Sequence, residues 1–321
     1  MTTVEATRTP PALRALRAVP PIWLVLVVVL AFVVWRDPSF AQPASLLAFL
    51  KRCAPLGVLA LGQLFVIVAG EFDLSVGAIM TACVVVAARL GEGDPGRTWW
   101  IIPLLSVLGA VVGALNGIVT TLLRVPSFIA TLGMMFVLGG AVFLWTGGSP
   151  TGALAANLRR FGRGGVGQLP YAALVLVAVT VVAALLLHRT RFGHMVFAAG
   201  GGPRAAALSG VPVRRVRLAA FVLSGLSAVV AAILLAGYAG LSADAGAGYQ
   251  FQAISAVVLG GAVLGGGRGG ALAALGGALT LQAMFTLLNL LGMAAALRNT
   301  VQGVLIIGAV AFAARRLRDA G

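Results

Sequence analysis

Two acidic side chains in an otherwise uncharged stretch are the residues of this sequence best placed to do chemistry. Glu71 and Asp73 belong to the segment GEFDLSVG at 70–77, and its flanks LGVLALGQLFVIVA and AIMTACVVVAA carry no formal charge. Only eight acidic residues occur among the 321 residues of the chain. Because ionisable groups are costly in apolar surroundings, such a pair indicates either a proton relay or a fixed structural role.

Two interpretations of the acidic pair follow from the residue types. In the first, Asp73 caps the helix that follows, with help from Ser75, and Glu71 pairs with Arg124 or with a basic residue of 188–217. In the second, both carboxylates relay protons in a secondary carrier.

The surroundings of the pair predict a break between two helices. The motif runs from Gly70 to Gly77 and separates two apolar segments. Irregular backbone at such a place must line a cavity or be buried in protein.

Motifs of soluble enzymes and of ATPases are absent from the sequence. The single lysine, Lys51, does not follow a glycine as a phosphate-binding P-loop requires, and His188 and His194 do not form a HExxH zinc motif. Cys53 and Cys83 lie in apolar segments without metal-ligand spacing. We therefore expect no catalysis of bond chemistry, no cofactor and no metal.

Composition places the chain among helical membrane proteins. It is 60% hydrophobic and 10% charged, whereas soluble domains carry about 25% charged residues. Apolar runs long enough to cross a bilayer recur along the sequence, so we predict an all-α, polytopic transmembrane bundle. The ten predicted spans are 20–36, 53–70, 74–90, 99–122, 127–146, 170–187, 218–241, 250–265, 270–291 and 299–314.

Charge distribution sets the predicted orientation of these spans. Most of the basic residues fall on the side of the N-terminus, which the positive-inside rule makes cytoplasmic. The net charge of +15 is explained in this way without nucleic acid. We predict two cytoplasmic tails, 1–19 and 315–321, around a transmembrane domain at 20–314.

The segments between spans complete the predicted organisation. An amphipathic piece at 43–52 is expected along the outer surface, the loop 147–169 outside, and the loop 188–217 inside. Glycines spaced four apart predict close approach of helix backbones. These glycines are Gly109, Gly113 and Gly117, and Gly261, Gly265 and Gly269.

Five blocks of the sequence, in order, resemble a known transporter family. GEFDLSVG is similar to the G-x-I/F-D-L-S-V-G signature of permease subunits from ribose-, xylose- and galactose-type ABC importers, and the resemblance extends over about residues 45 to 312. Three further blocks lie at 113–140, 190–225 and 252–269, and the last is the arginine-rich C-terminal end. Two departures stand out: Gly202 where the family usually has Asn, and Gln-Phe-Gln at 250–252 where acidic residues are frequent.

The resemblance implies a division of labour among subunits. A homodimer of the permease in the bacterial plasma membrane would be driven by a separate ABC ATPase subunit and supplied by an extracytoplasmic substrate-binding protein. The loop 188–217 would contact the ATPase through a short helix, with Gly202 as N-cap, Pro203 first and Gly210 after the end. The predicted coupling residues are Gly200, Gly201, Pro203, Arg204, Ala205, Ala206, Ser209 and Gly210.

The cargo predicted from the resemblance is a monosaccharide, either a pentose or a hexose. Polar residues within the predicted spans are the candidates for lining its path at the dimer axis, namely Gln63, Asn116, Ser127, Thr131, Gln282 and Asn289. The alternatives are the same machine with a nucleoside, a branched-chain amino acid or a furanose signal as cargo, and a proton-coupled carrier.

Overall fold

The computed structural model of this protein describes residues 20–293, 300–301 and 303–304. The predicted tails 1–19 and 315–321 lie outside the described residues, as does most of the tenth predicted span, 299–314. Within the described part the chain is helical apart from connecting segments and one small hairpin.

Twelve α-helices follow one another in the described part. They are α1 (Ile22–Arg36), α2 (Pro43–Val68), α3 (Val76–Gly91), α4 (Thr98–Thr121), α5 (Ser127–Thr146), α6 (Ala156–Arg163), α7 (Tyr171–Arg189), α8 (Arg191–Gly201), α9 (Pro203–Leu208), α10 (Val213–Ala239), α11 (Tyr249–Leu259) and α12 (Ala271–Leu290). Strands β1 (Gly165–Val166) and β2 (Leu169–Pro170) pair antiparallel between α6 and α7. Short 3₁₀ turns lie at Pro38–Ala41 and Pro95–Arg97.

Six of these helices are long and apolar enough to cross a membrane, namely α2, α4 with the turn before it, α5, α7, α10 and α12. The shorter apolar helices α1, α3 and α11 accompany them. The membrane bundle predicted from composition is thus present.

Two predicted segments are wrong. Residues 43–52 do not lie apart as a surface piece, because α2 continues without interruption from Pro43 through Pro55 to Val68. The charges of Lys51 and Arg52 suggested that a helix ends there. The helix continues, and the long Lys51 side chain places its Nζ 3.2 Å from the carbonyl oxygen of Arg163. The span 250–265 is also shorter than predicted, since α11 ends at Leu259.

Helices α2 and α10 form the centre of the bundle. Every residue of α2 from Cys53 to Val68 is buried, and α10 packs along both α2 and α4. A methyl group at Gly109, Gly113 or Gly117 would collide with the backbone of α10, which confirms the predicted close approach. Gly261, Gly265 and Gly269 lie in the connection after α11 instead, so that part of the prediction is wrong.

The bundle has two ends. The first end carries the connections 69–75, 122–126, 190–212 and 260–270; the second end carries 37–42, 92–97 and 147–170. From the second end the segment 240–248 turns back into the bundle, where Gly246 N donates to Thr81 Oγ1 at 3.0 Å.

Candidate functional site

The segment GEFDLSVG forms the predicted break between two helices. α2 ends at Val68, Gly70 adopts a left-handed backbone with φ of +83°, and α3 begins at Val76. The first two amides of the break bond back to α2, Gly70 N to Ile67 O at 2.9 Å and Glu71 N to Val66 O at 3.0 Å. The backbone then runs without helical bonds into the protein interior, where each remaining N–H needs another partner.

Four consecutive backbone N–H groups of the break each find a side-chain acceptor. The pairs are Phe72 N with Ser127 Oγ (3.1 Å), Asp73 N with Gln63 Oε1 (3.2 Å), Leu74 N with Thr131 Oγ1 (3.0 Å) and Ser75 N with Asp73 Oδ1 (3.0 Å). The Gln63 bond is made with the amide turned so that its nitrogen also donates to Asp73 O at 3.2 Å. These side chains come from α2, α5 and the break itself.

The Asp73 carboxylate is completely buried and accepts three hydrogen bonds. Ser75 donates to Oδ1 from its backbone N–H and from its hydroxyl, the latter at 2.6 Å, and Ser224 Oγ donates to Oδ2 at 2.9 Å. Asn116 Nδ2 in turn donates to Ser75 Oγ at 2.8 Å. The prediction that Asp73 caps α3 is wrong: Ser75 is the N-cap residue and no side chain caps the helix, while Asp73 accepts from the N–H of Ser75 itself.

Four of the six predicted path residues therefore surround the break. Gln63, Asn116, Ser127 and Thr131 are all buried, and each one bonds to a residue between 72 and 75. The spacing of Ser127 and Thr131 offered a clue, because residues four apart share a helix face. No pattern in the sequence indicated that Ser224, which lies 151 residues after Asp73, would bond to it.

The other two predicted path residues lie elsewhere. Gln282 and Asn289 on α12 line a polar cavity of about 430 Å³ near the second end, together with Asp37 and Arg52. The structure does not bring these two residues to the break.

Glu71 forms an ion pair at the first end. Its Oε1 lies 2.6 Å from Arg217 Nη1 on α10. Arg217 belongs to the segment 188–217, in which a basic partner for Glu71 was predicted. Arg124 does not bond to Glu71 but lines the same cavity of about 360 Å³, as do Arg214 and Thr120. The pair is partly buried, with side-chain exposures of 11% for Glu71 and 23% for Arg217, so water screens it only partly.

The segment 188–217 contains two helices that meet at Gly202. Helix α9 has Gly202 as N-cap and Pro203 as its first residue, and Gly210 with φ of +83° follows its end, as the sequence predicts. Ala206 is buried against its own chain, whereas Leu208 is 90% exposed. The exposed face of α9 thus carries Leu208, and Ala206 is not on it.

Helix α8 ends directly against the break. A methyl group at Gly200 would overlap Val68 O and crowd Gly267 N, whereas one at the neighbouring Gly201 would meet only Gly267 Cα at 3.7 Å. Gly267 N also donates to Val68 O at 2.8 Å. The segment carrying α9, the break and the connection after α11 are therefore in backbone contact.

A cavity of about 420 Å³ extends from the start of α3 towards the second end. Its walls are α3, α5 and the returning segment 243–250. Gly77 is essential to its floor, because a methyl group there would clash with Gly246 O and Gln250 Oε1. Both Gly77 and the Gln-Phe-Gln segment at 250–252 stood out in the sequence, but the contact between Gly77 and Gln250 could not be predicted from it.

Among the described residues, no group of three or more His, Cys, Asp or Glu side chains is arranged to hold a metal ion. Cys53 and Cys83 are buried as free thiols.

Comparison with known proteins agrees with the motifs. Residues 45–310 match the family described as branched-chain amino acid transport system, permease component. The chain is 38% identical over 295 residues to the ribose import permease protein of Bacillus subtilis, which covers 89% of this chain and 88% of the relative.

Two further relatives are similar over most of their length. The Escherichia coli K12 ribose import permease protein is 35% identical over 292 residues, covering 89% of this chain and 91% of the relative. The autoinducer 2 import system permease protein of Klebsiella pneumoniae is 33% identical over 300 residues, covering 93% and 86%. No solved structure was found to match. The chain belongs to the family of branched-chain amino acid transport system permease components.

Proposed function

We propose that this chain is the membrane permease subunit of an ABC importer that carries a monosaccharide, a pentose or a hexose, across the bacterial inner membrane. The observation that carries the cargo assignment is the identity of 35–38% to ribose import permeases over 89% of the chain. A separate ATPase subunit would drive the cycle, and an extracytoplasmic binding protein would deliver the sugar. Two copies of the permease are expected, with both termini and the first end of the bundle in the cytoplasm.

The first end offers a surface for the ATPase. Leu208 exposes an apolar side chain at the end of the short helix α9, and Arg204 lies four residues earlier on the same helix. Burying the exposed leucine against a partner removes apolar surface from water, which favours association. We assign α9 to the ATPase contact, with Leu208 rather than Ala206 as the anchor.

Backbone contacts provide a mechanical route from α9 into the bundle. Motion of α9 would move α8, and Gly200 of α8 touches Val68 at the break without any intervening side chain. Closely packed backbones transmit displacement because no flexible group lies between them to absorb it. ATPase closure would thus shift the junction between α2 and α3.

The break itself serves as a structural joint in this proposal. The side chains around it come from α2, α4, α5 and α10, and they bond to its backbone N–H groups and to the Asp73 and Ser75 side chains. Asp73 accepts three hydrogen bonds and Glu71 is paired with Arg217, which supports fixed partners rather than a proton relay.

Reconstitution tests the proposed cargo and energy source together. The chain, its ATPase and its binding protein are placed in liposomes, and uptake of labelled pentoses, hexoses, nucleosides and leucine is measured with ATP and with a pH gradient alone. We expect ATP-dependent uptake of a monosaccharide. Uptake of leucine or a nucleoside in preference to every sugar, or uptake driven by the pH gradient, would contradict the proposal.

Co-purification tests the ATPase contact. Leu208→Glu should lose the ATPase, because it replaces the exposed apolar anchor by a charge. The matched control is Val166→Glu, which places the same charge at an exposed apolar residue of the second end and should keep the ATPase. Normal ATPase recovery with Leu208→Glu would remove α9 from the interface.

A further inference from the structure

Gln250 lies at the wall of a cavity and combines a buried, unpaired acceptor with a weakly engaged hydrogen-bond donor. The side chain lies at the start of α11, is only 8% exposed and lines the cavity of about 420 Å³ between α3, α5 and the segment 243–250. Its Oε1 has no hydrogen-bond partner among the described residues. Its Nε2 makes only a weak contact, with Met135 Sδ at 3.7 Å.

An amide placed in this way is unusual. Leaving a buried acceptor without a partner costs about 1–3 kcal/mol, so buried amides are normally bonded. The Gln63 amide, in the same bundle, uses both its oxygen and its nitrogen on one residue. The Gln250 Oε1 is sealed against the backbone at Gly77, so the group that this amide can offer to a ligand is its Nε2 donor, whose one contact is the weak one with Met135.

The position of Gln250 is fixed by its surroundings. Gly246 is held to α3 through Thr81 Oγ1 at 3.0 Å, and Gly77 lets the amide come directly against the α3 backbone. The amide thus sits at the floor of the cavity on a firmly attached segment, as selective polar groups in binding pockets do.

The remaining lining defines the chemistry of an occupant. Asp244 supplies a carboxylate, Thr146 a hydroxyl and Phe143 an aromatic ring, and the described residues that line the cavity include no Arg, Lys or His. An anionic ligand would meet a negative charge without compensation, and the carboxylate of an amino acid would find no cation. A small neutral molecule with several hydroxyl groups can donate to the carboxylate and bond to the amide.

We propose that this cavity is a contact site for a neutral polyhydroxylated ligand within the permease, and that Gln250 is the residue that recognises its hydroxyl groups. The inference rests on the proposed function and deepens it, because it assigns a specificity residue to a chain whose cargo is delivered by another protein. Where similar permeases often carry an acidic residue at 250–252, this chain has an amide at 250. Asp244 is then the one acidic side chain among the described residues that line the cavity.

An experiment of the double-mutant-cycle type, in which both the protein and the sugar are varied, tests the assignment. ATP-driven uptake of D-ribose and of its 2-, 3- and 5-deoxy forms is measured for the wild type, Gln250→Leu and the matched control Gln252→Leu. Gln252 is an amide on the same helix but is not part of the cavity lining. Gln250→Leu should slow uptake of ribose about 3- to 10-fold, the equivalent of one lost hydrogen bond, and Gln252→Leu should not.

Non-additivity is the decisive result. If Gln250 bonds to one hydroxyl of the sugar, the Gln250→Leu substitution should hardly slow uptake of the deoxy form that lacks this hydroxyl. Equal slowing of all four sugars, or no slowing of any, overturns the role of Gln250 while leaving the proposed function intact. A wild type that takes up no monosaccharide overturns the proposed function first.

A second variant covers the case in which Gln250→Leu fails to fold. Gln250→Glu has nearly the same shape, keeps an acceptor and replaces the N–H donor by a second acceptor. It should still take up ribose and should change the ranking of the deoxy forms relative to the wild type. An unchanged ranking with a stable Gln250→Glu protein counts against the assignment.

Discussion

Replacing Asp73 by Asn and by Leu separates a structural joint from a proton relay. The carboxylate accepts from Ser75 N at 3.0 Å, Ser75 Oγ at 2.6 Å and Ser224 Oγ at 2.9 Å. An asparagine oxygen can keep both Ser75 bonds, and its NH₂ group can donate to Ser224, whose hydroxyl also accepts. All three contacts can therefore survive in Asp73→Asn.

The magnitudes differ between the two variants. In Asp73→Asn, bonds to a charged group worth about 1.5–3 kcal/mol become neutral bonds worth about 1 kcal/mol, and the cost of burying a charge disappears. We expect a net loss of about 0–2 kcal/mol. Asp73→Leu leaves the buried Ser75 N–H without an acceptor and strands two hydroxyls, so we expect a loss of about 2–4 kcal/mol.

Stability and uptake are measured on the same preparations. Melting of the purified protein in detergent should rank wild type and Asp73→Asn close together and Asp73→Leu well below. Uptake in liposomes with ATP should persist in Asp73→Asn, because an amide holds the joint as a carboxylate does. Complete loss of uptake by Asp73→Asn, with normal expression and ATPase binding, would refute the structural role, since an amide cannot carry the proton of a relay.

Substitutions at three further contacts give additional predictions. Gly200→Ala should cost about 1–3 kcal/mol of stability and reduce ATP-driven uptake, because its methyl overlaps Val68 O, whereas Gly201→Ala has room and should keep uptake. Glu71→Gln or Arg217→Gln alone should each lower the free energy of unfolding by about 1–3 kcal/mol, and a double variant that costs the full sum would argue against a direct pair. Gly77→Ala should lower the melting temperature by forcing the segment 243–250 away from α3; an unaltered melting temperature would show that this contact is loose.

Much of the bundle could be predicted from the sequence because apolar runs and glycines report directly on helices. Helix α5 matches its predicted span at both ends, and Pro203 with Gly210 delimits α9 as expected. The break was recognisable from two acidic residues between apolar segments. These features are local, so the chain itself displays them.

What the sequence could not reveal depends on contacts between distant residues. Gln63 and Asn116 looked like polar groups for a path, and only the fold shows that they bond to the break. The return of 240–248 into the bundle was hidden because a loop of mostly small residues resembles any other connection. It depends on Gly77, which is far away in the sequence but adjacent in space.

The wide spread of the break's partners has a consequence for how the protein is made. Leu74 N bonds to Thr131, which is synthesised 57 residues later, and the Asp73 carboxylate bonds to Ser224, which is synthesised 151 residues later. A chain emerging from the ribosome must therefore insert α2 and α3 while their junction is still unsatisfied, and α10 completes it only late in synthesis. The bundle must therefore fold through an intermediate in which Asp73 still lacks Ser224, and intermediates of this kind are the aggregation-prone stage in the folding of larger proteins.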